Sequence, residues 1–110
     1  MFLKPILGSK NLERVLIFLA ARNEGYARDI ARFYDTDLKP IQNQLEKLEQ
    51  GGVIVSKKVG KTILFQFNPR YPFLKELVNL LDKALDYYPE EIREKLIYNR
   101  RRPRRKDKPL

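Results

Sequence analysis

The chain has 110 residues, of which 43% are apolar, so it has the length of one domain and enough apolar side chains for a core. It contains no cysteine and no histidine, which removes disulfides, thiolate chemistry, most zinc and copper sites and the usual general base, so we expect no enzyme, no cofactor and no bound metal. Its formal net charge of +9 indicates an anionic partner, and since no run of 18 residues is apolar we expect a cytoplasmic protein without a membrane span.

A first helix is predicted over residues 9–21, where apolar side chains recur at intervals of three and four positions. Ser9 is a typical N-cap, because its hydroxyl can accept from a first-turn N–H group. Ile17 and Phe18 lie off the stripe, so the helix is apolar around more than half of its circumference. Such a helix is either deeply buried or part of an oligomer interface. Residues 22–25 are predicted to form a turn.

A second, short helix is predicted from an apolar stripe that begins at Ala27 and ends at Tyr34. Arg28 and Arg32 lie off this stripe, four positions apart, and are candidates for contacts with phosphate groups. Residues 35–37 then interrupt the helical pattern.

The third helix is predicted over Leu38–Gln50, with Asp37 as its N-cap and a glycine pair, 51–52, ending it as a left-handed cap does. On the side opposite its apolar stripe lie residue types that bond to base edges: Lys to guanine, Asn and Gln to adenine, and Glu to the cytosine amino group. These residues are Lys39, Gln42, Asn43 and Glu46. The same residue types are also common on an ordinary solvated helix face.

Two runs rich in β-branched and aromatic residues, 53–59 and Thr62–Phe67, flank a Gly60-Lys61 turn and predict a β-hairpin. Their alternation places one set of side chains on a face toward the core, namely Val53, Val55, Ile63, Phe65 and Phe67. Three lysines cluster near the tip: Lys57, Lys58 and Lys61. We expect them to contact phosphates or a minor groove rather than only to keep the hairpin soluble.

A long apolar helix is predicted over 73–88 and a short terminal helix over 89–99. Since helix 73–88 and the first helix both look too apolar for a single contact face, we expect them to form an isologous homodimer. The alternative is that helix 73–88 only covers the core of its own domain.

Residues 100–110 hold seven Arg or Lys and one Asp, which leaves a net charge of only +3 for the first 99 residues. This segment has the composition of a disordered basic tail. An arm of this kind can enter a minor groove or follow phosphates, can bind RNA or anionic lipid, or can stay solvated with only nonspecific attraction. Its candidate contacts are Arg100, Arg101, Arg102, Arg104, Arg105 and Lys106.

Helix, turn, helix and hairpin in this order predict an α+β, mainly α fold. We expect a winged helix-turn-helix over residues 1–88, with an N-terminal helix before it and further helices after it. The segment 27–68 resembles the winged-helix core of ArsR-like prokaryotic transcription regulators. The resemblance lies in IA at 30–31, LEKLEQGG at 45–52, and a hydrophobic strand, glycine turn and aromatic strand in sequence.

The resemblance spans about residues 7–85. It implies DNA contacts by Lys39, Gln42, Asn43 and the wing lysines, and homodimerisation through the terminal helices. ArsR-type metal sensors use clusters of Cys or His, and this sequence has neither, so metal sensing through such ligands is not expected.

We therefore expect a dimeric transcription regulator that binds specific double-stranded DNA, with helix 38–50 in the major groove and wing 57–61 on the backbone. One alternative is a winged-helix module that docks onto another protein. Another is a nonspecific, nucleoid-type DNA binder driven by the tail. The operator, any effector and the direction of regulation are not indicated by the sequence.

Overall fold

A computed structural model describes residues 1–98. The elements, in chain order, are α1 (Lys4–Leu7), α2 (Lys10–Arg22), β1 (Glu24–Tyr26), α3 (Ala27–Phe33), α4 (Leu38–Gln50), β2 (Ile54–Val59), β3 (Thr62–Phe67), α5 (Leu74–Leu85) and α6 (Glu90–Tyr98). Within this part of the chain no helix is long and apolar enough to cross a membrane. The predicted basic tail, 100–110, lies outside the described residues, as does the last residue of the predicted terminal helix.

Helix α2 is the centre of the hydrophobic core. Five consecutive side chains, 15–19, are at most 2% exposed, because α3, α4, α5, α6 and β1 all pack against this helix. Ser9 caps α2 as predicted, and its hydroxyl accepts from the N–H group of Leu12 at 3.1 Å. Of the two alternatives predicted for this helix, the structure shows deep burial: its wide apolar surface is covered within one protomer.

The three strands form an antiparallel sheet in the order β1-β3-β2. Strand β1 overlaps the segment predicted as a turn, and it pairs Gly25 with Phe65 of β3. A larger residue does not fit at Gly25, because a Cβ atom there would lie 2.8 Å from the ring of Phe18. The sheet and α2 therefore approach each other closely at this glycine.

The core face predicted for the hairpin is partly wrong. Ile54 rather than Val55 is buried, because Val55 lies opposite Gln66 on the outer face of the sheet. Ile63 does lie on the inner face, but it is 44% exposed, since it is close to the tip, where the residues of both strands next to the turn are exposed. Phe65 and Phe67 pack against the core as predicted.

Both ends of the described chain are fastened to the core. The guanidinium group of Arg22 donates to the carbonyl oxygens of Leu96 at 3.0 Å and of Lys95 at 3.2 Å, at the end of α6. The same group lies 4.5 Å from the ring centroid of Phe18. At the other end Leu3 is buried beside α1, a one-turn helix that the sequence did not predict. The predicted helix 73–88 is α5, which is shorter than expected at each end.

Candidate nucleic-acid interface

Helices α3 and α4, with the turn between them, form the helix-turn-helix. Helix α4 has the predicted bounds, and its side chains Ile41, Leu45 and Leu48 are buried in the core. Asp35 has a φ of 52°, a left-handed backbone conformation that reverses the chain between the two helices. Asp37 occupies the N-cap position as predicted, although its side chain makes no capping hydrogen bond.

The four predicted base-reading residues lie together on the side of α4 that faces away from the core. Lys39, Asn43 and Glu46 are exposed, and Gln42 is half-buried. Their spacing of three and four positions places them on successive turns along one side of the helix. The structure thus presents these side chains from a helix whose opposite side is held rigidly.

The wing consists of β2, β3 and the turn that joins them. Its tip is shaped by Gly60, which has a φ of 62°, and by the hydroxyl of Thr62, which donates to the carbonyl oxygen of Val59 at 2.7 Å. The three predicted backbone-binding lysines of the wing are all exposed.

Two of these lysines, Lys57 and Lys58, lie on opposite faces of the wing, although all three were predicted to form one cluster. Lys58 lies opposite Ile63, on the inner face of the sheet that also bears the buried Ile54. Lys57 lies opposite Leu64, on the outer face. Directly opposed residues of an antiparallel pair share a face, so the two neighbouring lysines project from opposite sides of the wing.

The two predicted phosphate-binding arginines of α3 are both exposed but differ in their surroundings. Arg32 forms an ion pair with Asp29, one turn earlier, at 3.2 Å. An exposed pair of this kind contributes only about 0.2–1 kcal/mol, so Arg32 can exchange the carboxylate for a phosphate at little cost. Arg28 instead lines a groove beside the wing.

This groove, of about 670 Å³, runs between α4 and the wing. Helix α4 contributes Leu38, Gln42 and Glu46 to its lining, and the wing contributes Lys61 and Ile63 among others. Ile63, which was predicted to face the core, lines this groove, and the groove itself was not predicted from the sequence. The exposure of an apolar side chain so close to the wing lysines is visible only once the strand register is known.

A buried polar cluster lies behind the helix-turn-helix. The carboxylate of Glu13 is fully buried and accepts from the backbone N–H of Leu3 at 2.9 Å and from the hydroxyl of Tyr88 at 2.5 Å. The hydroxyl of Tyr34 is buried without a hydrogen-bond partner among residues 1–98. Burial raises the pKa of both tyrosines well above the ordinary range, and the hydrogen bond to Glu13 raises that of Tyr88 further.

Comparison with known proteins identifies the fold. No family model and no curated protein matches the chain. Its structure is similar to that of the homodimeric winged helix-turn-helix DNA-binding domain of a possible ArsR-family transcriptional regulator from Mycobacterium bovis, with a TM-score of 0.56, 19% identity, and 81% of this chain and 80% of that chain covered.

Two further solved structures share the architecture. Lactococcus lactis ZitR, solved as an apo-form mutant, has a TM-score of 0.54 and 16% identity, with 88% of this chain and 82% of that chain covered. The adhesin competence repressor AdcR from Streptococcus pyogenes has a TM-score of 0.53 and 14% identity, with 88% and 81% covered. The chain therefore has a winged helix-turn-helix fold, and the predicted fold class and the structural resemblance to ArsR-family regulators are confirmed.

Within the described part of the chain, no group of three or more Asp and Glu side chains could hold a metal ion.

Proposed function

We propose that the protein is a cytoplasmic, homodimeric regulator of transcription that binds specific double-stranded DNA. In each protomer α4 enters a major groove and the wing lies along the flanking backbone. The observation that carries this proposal is the accessible row of Lys39, Asn43 and Glu46 on a helix fixed in the core beside a basic wing. Two solved proteins of the same fold are described as a DNA-binding domain and as a repressor, which supports the same function.

The side chains of α4 would divide the reading of bases among them. Lys39 is suited to guanine, and the amides of Gln42 and Asn43 can each make a bidentate contact with adenine. Glu46 can accept from a cytosine amino group, and it opposes any contact with a phosphate at the same position. Arg28, Arg32, Lys58 and Lys61 would bind phosphates, which fixes the register without reading sequence. Lys57 was predicted to join them, but it lies on the outer face of the wing, so we leave it out of the proposed contacts.

The dimer would form through α5 and the N-terminal segment. Leu80 is 40% exposed on α5, and two more apolar side chains are exposed just outside its ends, Phe73 before the helix and Tyr87 after it. Phe2, which is 54% exposed, lies against Tyr87, since the two rings are 6.1 Å apart. Large exposed apolar patches mark sites of protein interaction. Because the apolar side chains of α2 are covered within the protomer, we propose the N-terminal segment in place of the first helix predicted from sequence.

The test of base reading begins with an unbiased selection of DNA sequences by the purified protein. Gln42→Ala and Asn43→Ala should each weaken binding to the selected site by about 1–3 kcal/mol, the value of one bidentate contact, and leave binding to random DNA almost unchanged. Gln50→Ala is the matched control, since Gln50 is exposed on the same helix about 12 Å farther along. Equal losses on selected and random DNA would contradict base reading by α4.

The apolar surface also favours a second candidate function, a winged-helix module that docks onto a different protein. Sedimentation distinguishes the two. A homodimer should dissociate when Leu80, 40% exposed, is replaced by Glu, and should persist when Ile97, 41% exposed on α6, is replaced in the same way. A wild-type protein that is monomeric and binds no DNA at low salt would favour the docking module.

The basic tail would add sequence-independent attraction to this complex. Its net charge of +6 exceeds the +3 of the first 99 residues. Each phosphate contact that the tail supplies would add about 0.9 to the slope of the logarithm of the binding constant against the logarithm of the salt concentration.

A further inference from the structure

We infer that the groove between α4 and the wing seats the sugar–phosphate strand that separates the major groove from the minor groove, and that Ile63 packs against a deoxyribose of this strand. The inference rests on the proposed function. It gives Ile63, which was predicted to face the core, a role in positioning DNA. The same contact would give the protein a preference for DNA over RNA.

The shape of a DNA duplex predicts that one backbone strand would pass through this groove. One backbone strand lies between each major groove and the neighbouring minor groove. If α4 occupies a major groove and the wing reaches toward the adjacent minor groove, that strand has to pass between these two elements. The space between α4 and the wing is the groove of about 670 Å³, so the molecule leaves room where the strand must run.

The chemistry of the groove matches the parts of a nucleotide strand. Helix α4 supplies the polar side chains Gln42 and Glu46, which suit base edges. The wing and the start of α3 supply the cations Lys61 and Arg28, which suit phosphates. Asp29 also lines the groove, but its carboxylate is paired with Arg32. Ile63 is among the apolar side chains that line the same space, and these suit the carbon face of a sugar. Bases, sugars and phosphates thus each find a partner within one groove.

Ile63 is the side chain that most needs an explanation. It is 44% exposed, and it lies on the inner face of the wing, opposite Lys58. Val59 has nearly the same exposure, 41%, but lies opposite Thr62 on the outer face. The two residues are therefore a matched pair, one aliphatic side chain toward the groove and one away from it.

Contact with Ile63 would also discriminate between sugars. The C2′ methylene of deoxyribose can pack against an aliphatic side chain, whereas a ribose would bring its 2′-hydroxyl into the same contact. Burying a hydroxyl without a hydrogen-bond partner is unfavourable. A single ribose at the contacted position should therefore weaken binding in a way that depends on Ile63.

The experiment compares Ile63→Ala and Val59→Ala by titration with the DNA site selected by the wild-type protein. Ile63→Ala should bind about tenfold more weakly, the loss expected for one or two buried methylene-sized groups. Val59→Ala should stay within about twofold of the wild type, as surface substitutions usually do. Circular dichroism spectra should be unchanged for both variants, since both side chains are exposed.

A ribose scan then locates the contact. One nucleotide at a time along each strand is replaced by its ribonucleotide, and binding of the wild type and of Ile63→Ala is measured. The wild type should lose affinity at one or two positions per half-site, and Ile63→Ala should lose distinctly less at those positions. Equal binding by the two alanine variants, or a scan that does not change with Ile63→Ala, overturns this inference while leaving base reading intact. Failure of the wild type to select any DNA site overturns the proposed function as well.

Discussion

Tyr34 and Tyr88 allow a direct test of the buried polar cluster, because both hydroxyls are buried but only one has a hydrogen-bond partner. Tyr88→Phe removes a donor to the buried carboxylate of Glu13, and losing one partner of a buried hydrogen bond costs about 1–3 kcal/mol. Tyr34→Phe removes a hydroxyl that has no partner among residues 1–98. The free energy of unfolding of the Tyr34→Phe variant near neutral pH should therefore stay within about 0.5 kcal/mol of that of the wild type.

The same two tyrosines make the free energy of unfolding depend on pH in the alkaline range. Burial raises the pKa of Tyr34 and of Tyr88, so the folded protein keeps both phenol protons above pH 10, where the unfolded chain begins to lose them. The unfolded state then binds fewer protons than the folded state, and the free energy of unfolding falls as pH rises. The slope is about 1.4 kcal/mol per pH unit for each tyrosine, and the effect is absent below the unfolded pKa of about 10.

The assay is denaturant unfolding over a pH series from neutral to strongly alkaline. All samples have one protein concentration, since the proposed dimer would make stability depend on concentration. Above pH 10 the free energy of unfolding should fall less steeply with pH for each Phe variant than for the wild type. The difference in slope should be the contribution of one tyrosine, about 1.4 kcal/mol per pH unit. Titrating lysines affect all three proteins alike and cancel in the comparison. Parallel alkaline limbs for the wild type and Tyr34→Phe, or equal losses for the two variants at neutral pH, would refute the reasoning.

Gly25→Ala should lower the free energy of unfolding by about 1–3 kcal/mol, measured as a urea midpoint, because the new Cβ atom would lie 2.8 Å from the ring of Phe18; an unchanged midpoint would mean that the sheet can move away. Lys58→Ala should reduce the salt slope of DNA binding by about 0.9, the value for one phosphate contact. Lys57→Ala should leave the slope unchanged, since Lys57 lies on the outer face of the wing; identical slopes for the two variants would contradict the assignment of faces.

The bounds of α4 could be predicted because local signals agree at both of its ends. Asp37 precedes the first turn and glycines follow Gln50, so capping preference and apolar periodicity give the same answer. Strand β1 and helix α1 could not be predicted, since three or four residues are too few to show a period. Both are held by tertiary contacts instead, β1 by pairing with β3 and α1 by packing on α2.

The face of the hairpin was ambiguous for a different reason. Ile54 and Val55 are neighbours and both β-branched, so alternation alone cannot decide which of them enters the core. The choice of the wrong neighbour also exchanges the two lysines, since it would place Lys57 rather than Lys58 on the inner face. Similarly, the broad apolar surface of α2 fitted a dimer interface as well as deep burial, and only the packing of six other elements around it shows which one applies.

The distribution of charge separates attraction to DNA from recognition of a sequence. The first 99 residues carry a net charge of only +3 and Glu46 is exposed on α4, so in the proposed complex the winged core would attract a duplex only weakly. Specificity then depends on geometry. In the proposed dimer the two recognition helices would have to lie about 34 Å apart, one turn of DNA. The described part of each protomer extends 35 × 35 × 31 Å, a size compatible with this spacing. Because discrimination by the two half-sites would add in the proposed dimer, Leu80→Glu should reduce binding to the selected site as Gln42→Ala does. Both variants should keep the nonspecific, salt-dependent binding that we propose for the tail.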